Sequence, residues 1–197
     1  QPMDTDLLDT HCKVIKKFTS LGGDAVVPKA ILELPIEGKQ ELVKLLNSCV
    51  FSLQLPLQSL LSLLSVILKP AGGERLVARM PMVSRILFRM RRWEISSWEE
   101  ARHGFWDSAI SGSSALQAAI RRSFQVEVSA TIGAYASMAF IDIDKFYDSL
   151  DCLVLLDKLY DLKFPAASLW MHLLCHWGPR RVEHAGVISE PLKVTRS

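Results

Sequence analysis

An apolar run, Met138-Ala139-Phe140-Ile141, leads directly into three acids, Asp142, Asp144 and Asp148, within seven residues, with Phe146 and Tyr147 between the last two. A buried strand that ends in carboxylates holds a hard cation at a fixed place, because such ions prefer oxygen ligands. The pattern therefore predicts a strand ending in Asp142, set off from the preceding helix by Gly133. The same residues also describe a strand-to-helix junction whose acids cap the helix and form turns.

Upstream, Lys69-Pro70-Ala71-Gly72-Gly73-Glu74-Arg75-Leu76-Val77-Ala78 reads as a hairpin. Gly72 and Gly73 reach positive φ without strain, and residues 75–78 return as the partner strand. Ser59 to Leu68 is ambiguous between helix and strand until Val66-Ile67-Leu68. Pro81 then opens a helix whose apolar face is Met82, Val83, Ile86, Leu87 and Met90. Arg85, Arg89 and Arg92 form a stripe on another face at helical spacing.

At the N-terminus a short helix is expected over Leu7 to Phe18, a break at Gly22-Gly23, and an extended region carrying Pro28 and Pro35. From Gly38 the spacing of Leu42, Leu45, Leu46, Cys49, Val50 and Leu53 is helical, ending by Pro56. Ser113 or Ser114 caps a later helix that carries Leu116, Ile120 and Phe124 inward. Two further helices are expected, about Cys152 to Tyr160 and Ala166 to Trp177, joined by Lys163-Phe164-Pro165. Arg180 to Val194, with Gly186 near its middle, reads as a second hairpin. No clear linker divides the chain, which favours one interleaved domain over two independent ones.

Composition narrows the classes. The 197 residues are 49% hydrophobic and 22% charged, enough to bury a core and unlike a disordered tail. The net charge of +2 is uninformative, but its distribution is not. Between Lys69 and Arg92 stand Lys69, Arg75, Arg79, Arg85, Arg89, Arg91 and Arg92 against the single acid Glu74. Such a segment suits a polyanionic partner, or else is a solvated basic face. Cys12, Cys49, Cys152 and Cys175 have no paired spacing, which fits reduced thiols in an intracellular protein, nuclear or cytoplasmic. No secretory leader is seen, and the most apolar region, Leu42 to Leu68, is broken by Lys44, Asn47, Gln54, Pro56 and Gln58, so no membrane partner is expected. The chain opens on Gln1 and closes on Lys193-Val194-Thr195-Arg196-Ser197, so a fragment of a longer polypeptide is expected.

The Asp142 segment resembles the first catalytic motif of reverse transcriptases, in which an Asp, two or three spacers, an aromatic pair and a second Asp follow an apolar strand. The nearest resemblance is to polymerases of non-LTR retrotransposons and group II introns. The family pattern is Asp-Phe-x-Lys-Ala-Phe-Asp; Lys145, Tyr147 and Asp148 fit it, while Ile143 and Phe146 stand where Phe and Ala do. The resemblance implies that Asp142 and the Ile143 carbonyl hold magnesium, and that the Tyr147 ring rejects ribonucleotides. Asp148 would be a structural partner, and an acid at Asp144 is not required. Residues 69–78 are similar to the family's fingers hairpin, Pro-Lys-Pro-Gly-Gly-Gly-x-Arg-Pro-Ile, with Leu68, Ala71 and Leu76 departing from it. Lys69 and Arg75 would then bind the triphosphate through charge-assisted hydrogen bonds, and Arg85, Arg89 and Arg92 would meet template or primer backbone.

The resemblance covers roughly residues 20–197 and implies an α/β (α+β) chain, the fingers and partial palm of a right-hand polymerase, helix-rich with a few antiparallel strands. The divisions would be an N-terminal segment 1–38, a fingers region 39–135 and a partial palm 136–197. The partners would be an RNA template, a DNA primer, deoxynucleoside triphosphates and the missing C-terminal part of the same polypeptide. After Asp148 no Tyr-x-Asp-Asp pair and no template-grip motif occurs, so this chain alone is expected to be inactive. Three other readings stay open. One is a catalytically dead remnant that binds nucleic acid. A second is a phosphatase of the haloacid dehalogenase type, which also opens on Asp-x-Asp after a strand but wants Thr or Val where Phe146 stands. A third is a plain interaction domain that binds neither nucleic acid nor metal. His172, Cys175 and His176 share one helix, and a structural role is favoured there over a metal site.

Overall fold

The structure, a computed structural model, describes residues 2–16, 19–70, 72–104, 107–108, 112–139, 141 and 150–192. The chain divides into two compact units, one of residues 1–95 with 152–197 and the other of residues 96–151. Within the described residues it is a mixed helix and sheet protein in which helices dominate.

The first unit begins with helix α1 (Thr5–Lys13), whose N-cap Asp4 accepts a hydrogen bond from the Leu7 N–H at 2.8 Å. The helix stops at Lys13, short of the expected Phe18. Helix α2 (Pro28–Leu32) replaces the expected extended region: Pro28 is its first residue, where a missing N–H costs nothing. Pro35 likewise precedes helix α3 (Ile36–Ser52) as its N-cap. Helix α3 buries Val43, Leu46 and Cys49. Leu53, read as part of its apolar face, is instead its C-cap in the left-handed region at φ 55°.

A short helix α4 (Leu57–Leu60) resolves the ambiguous segment and passes into strand β1 (Ser62–Leu68). Strand β2 (Glu74–Arg79) pairs with β1 in antiparallel register, Leu68 facing Glu74 and Ile67 facing Arg75. Helix α5 (Met82–Met90) follows, with Met82, Ser84, Ile86, Leu87 and Met90 buried. It is the centre of the core, which also contains Leu8, Cys12, Ile15, Ile31, Val43, Leu46, Cys49 and Met171. The N-terminal residues are thus part of the same core as α3 and α5. Full burial of one such Leu or Ile contributes about 1.5–3 kcal/mol, so α5 is held by packing more than by propensity.

The start of α5 has no side-chain cap of its own. Asp24 supplies one from a distance: its carboxylate accepts from the Val83 N–H at 3.2 Å and from the Val26 N–H at 3.4 Å. Ser84 Oγ donates to the Ser59 carbonyl at 2.5 Å, tying α5 to α4.

Helices α8 (Cys152–Asp161) and α9 (Ala166–Trp177) match the expected spans within a residue. The chain then forms β3 (Arg180–His184) and β4 (Val187–Ile188), an antiparallel hairpin turned by Ala185 and Gly186, both at positive φ. The sheet order is β2-β1-β3-β4. The expected antiparallel strands pair as β1 with β2 and β3 with β4, and the sheet is mixed because β3 lies parallel to β1, with Ser62 facing Arg180 and Ser65 facing Glu183.

Helix α6 (Arg92–Arg102) spans the boundary between the units, and helix α7 (Ala115–Thr131) lies wholly in the second. Ser114 caps α7, accepting from the Gln117 N–H at 3.1 Å. The expected inward face of α7 is not buried: Leu116, Ile120 and Phe124 are 70%, 59% and 65% exposed. Residues 134–139 belong to no helix or strand, and Met138 and Ile141 are exposed, in place of the expected buried strand.

Candidate nucleic-acid and nucleotide site

The cationic hairpin forms as its sequence requires. Lys69 N–H donates to the Gly73 carbonyl at 2.9 Å, and Gly72 N–H donates back to the Lys69 carbonyl at 3.0 Å. Gly72 and Gly73 take φ of 89° and 86°, a region closed to most other residues. Lys69 and Arg75 are exposed at the tip. The two-residue alternation of a strand, carried one position past Leu68, sets Lys69 on the side of Arg75. Among the described residues neither has an ion-pair partner.

The arginine stripe is only partly preserved. Arg85 and Arg89 share helix α5, but α5 ends at Met90 and Arg92 opens helix α6. Arg85 is committed within the fold, donating from Nη1 to the Ser20 carbonyl at 2.9 Å. Arg89 is exposed and lies close enough to His11 to lower that imidazole's pKa, after the larger effect of burial. Arg92 is exposed. Between them Arg91 forms an ion pair with Glu94, whose carboxylate also accepts from Ser168 Oγ at 2.7 Å.

Asp142, Ile143 and Tyr147, with Asp144, Lys145 and Asp148, lie outside the described residues. Among the described residues no group of three or more His, Cys, Asp or Glu gathers as metal ligands would.

The His172, Cys175 and His176 trio is engaged structurally. His172 Nδ1 stands 2.6 Å from the Ser168 carbonyl, an acceptor only, so Nδ1 carries the proton. Its ring stacks on Phe88 with centroids 4.1 Å apart. Burial pushes the Cys175 thiol up to about 11, away from the thiolate a metal needs. Arg180 donates to the His176 carbonyl at 2.7 Å.

Sheet pairing adds two residues that no local pattern marks. Leu63 faces Arg79 on β2 and Arg181 on β3. Paired residues project to the same face, so Arg75, Arg79, Arg181 and Glu183 share one side of the sheet. There Arg79 forms an ion pair with Glu183. Their signal is tertiary: the residues belong to strands far apart in sequence.

Compared with known proteins, the chain matches no family model and no curated protein. Among the described residues no helix is long and apolar enough to cross a membrane.

Proposed function

We propose that the chain is the fingers and first part of the palm of a reverse transcriptase of the non-LTR retrotransposon or group II intron type. Its parent activity is RNA-templated DNA synthesis from a DNA primer and deoxynucleoside triphosphates. The observation that carries the reading is the order of two motifs: a Gly-Gly hairpin with Lys69 and Arg75, followed by an apolar run into Asp142 with Tyr147 and Asp148. The hairpin's geometry supports it, since both cations stand exposed at a turn with no acid paired to them among the described residues. In this role Lys69 and Arg75 hold the triphosphate as negative charge moves to its leaving group. Arg89 and Arg92 meet strand backbone, while Arg85 is the weakest candidate because its guanidinium serves the Ser20 carbonyl. Tyr147 selects deoxyribose, and Asp142 with the Ile143 carbonyl is the place for magnesium. Two such ions, when bound, would supply the chemistry: one would lower the pKa of the primer hydroxyl, and the other would hold the triphosphate and stabilise the leaving pyrophosphate.

Binding of a fluorescent deoxynucleoside triphosphate, with and without magnesium, tests the reading. Lys69→Ala with Arg75→Ala is expected to weaken binding at least about tenfold, equivalent to about 1.4 kcal/mol. Asp142→Asn is expected to remove the magnesium dependence, and Tyr147→Ala to narrow the preference for deoxyribose. Triphosphate binding indifferent to all of these changes overturns the proposal. Hydrolysis of simple phosphoesters that is lost in Asp142→Asn moves the chain to the phosphatase class. Primer extension by this chain alone is expected to be absent, because it has no second carboxylate pair.

A further inference from the structure

We propose that Arg181 extends the cationic hairpin into a track for a single nucleic-acid strand, with Arg75 and Arg181 holding separate backbone phosphates. Glu183 withholds Arg79 from the same track by pairing with it. The inference rests on the polymerase reading for the identity of the polyanion, and on the sheet register for its geometry.

Arg75 faces Ile67, and Arg181 faces Leu63, four positions back along β1. At about 3.3 Å per residue and about 4.8 Å between strands, the two arginines start roughly 16 Å apart on one face. A strand of a duplex carries a phosphate per about 3.4 Å of its axis, so that separation spans several consecutive phosphates. The three phosphorus atoms of a triphosphate, joined through single bridging oxygens, are far more compact. A triphosphate group held at the hairpin tip by Lys69 and Arg75 therefore presents no phosphate at the Arg181 backbone position, whereas a strand laid along the sheet passes both.

The charge on this face is matched to such a partner. Arg75 is exposed and Arg181 half-buried, and among the described residues neither guanidinium has a hydrogen-bond or ion-pair partner. Glu183 is the one acid that the β1, β2 and β3 register puts on this face, and it is taken by Arg79. Arg180 provides an internal comparison. It adjoins Arg181 in sequence, projects to the opposite face, and is committed to the His176 carbonyl at 2.7 Å.

The experiment measures affinity of the 197-residue chain for a short oligouridylate as a function of salt, beside affinity for a deoxynucleoside triphosphate. Each phosphate contact to a single strand contributes about −0.7 to the slope of log affinity against log salt. Arg181→Gln is expected to reduce the slope by about that amount and leave triphosphate binding unchanged. Arg181→Lys is expected to keep the slope, and Arg180→Gln to leave it alone. Glu183→Gln, which releases Arg79, is expected to steepen it. Equal effects of Arg180→Gln and Arg181→Gln, or none from Arg181→Gln while the wild type binds the oligomer, overturn this inference and leave the polymerase reading standing. A wild type that binds neither oligomer nor triphosphate overturns both. Circular dichroism of each variant separates lost contacts from lost fold.

Discussion

Arg79 on β2, level with Leu63, and Glu183 on β3, level with Ser65, form an ion pair diagonally across β1, with side-chain exposures of 19% and 29%. The pair joins the two strands that flank β1 and do not touch each other in the ladder. It lies between a surface pair, worth little, and a buried one, costly to break by removing one partner. Arg79→Met is expected to destabilise the chain by about 1–3 kcal/mol, since Glu183 then keeps a half-buried charge without its counterion. Removing both charges together, as Arg79→Met with Glu183→Leu, is expected to recover part of that loss. Urea unfolding of the two single variants and the double variant measures the coupling. Strict additivity would show that the pair contributes nothing of its own.

Gly22 is expected to be the least replaceable glycine of the first unit. A Cβ there would stand 2.2 Å from the Met80 carbonyl oxygen and 2.6 Å from Pro81 Cα. Those are backbone atoms at the start of α5, and the loop is clamped by Arg85 on the Ser20 carbonyl and Asp24 on the Val83 N–H. Gly22→Ala should therefore lower stability by about 1–3 kcal/mol or more through overpacking. Gly38→Ala should act in the opposite direction. It lies in α3, its nearest neighbours to an added Cβ begin at 3.6 Å, and alanine reduces the entropy lost on folding by up to about 1 kcal/mol. Thermal melts of the two variants decide this: a raised midpoint in Gly22→Ala would contradict the packing at Gly22, and a lowered one in Gly38→Ala would contradict the open space at Gly38.

These contacts show which parts of the fold are written locally. The first hairpin was legible because Gly72 and Gly73 adopt the positive φ that a Gly-Gly pair permits, independent of the rest of the chain. Helices α8 and α9 were legible from apolar spacing on either side of the break at Lys163-Phe164-Pro165. Pro28 was misread as extended because proline also suits the first residue of a helix, and only packing of Ile31 into the core selects between them. The parallel pairing of β1 with β3 has no local signature at all, so Arg181 and Glu183 were invisible as neighbours of Arg75 and Arg79. The apolar spacing of Leu116, Ile120 and Phe124 was real, but spacing states that a face is apolar and not that anything covers it.

The buried cysteines set a chemical order of reactivity. Burial, reinforced by Asp9, pushes the Cys12 thiol up to about 11, and burial does the same to Cys175. Cys49 is also raised by burial. At pH 8 a thiol of pKa about 11 is about one part in a thousand thiolate, and the thiolate is the nucleophile. Half-exposed Cys152 is therefore expected to take iodoacetamide first, with Cys12 and Cys175 following only on unfolding. Mass spectrometry of partially labelled peptides reads the order. The same shifts act on stability. Folding holds these protons more tightly, so the contribution is complete below the ordinary thiol value of 9.0 and is lost as pH rises towards about 11. Equal labelling of all four thiols in the native chain would contradict their burial.

His11 governs a change at the acid side. Burial lowers its pKa below the ordinary 6.5, and the nearby positive charge of Arg89 lowers it further. The unfolded chain then binds a proton at a pH where the folded chain does not. Stability from this group is present above 6.5 and is lost as pH falls through the depressed folded value. His11→Gln removes the group, so the variant is expected to lose less stability than the wild type between about pH 7 and about pH 5. Arg89→Gln should raise the His11 midpoint without restoring it fully, because burial is the larger cause. Following the imidazole proton resonance through the titration separates the two effects. A wild-type midpoint at or above 6.5 would contradict the partial burial of the ring and its closeness to Arg89.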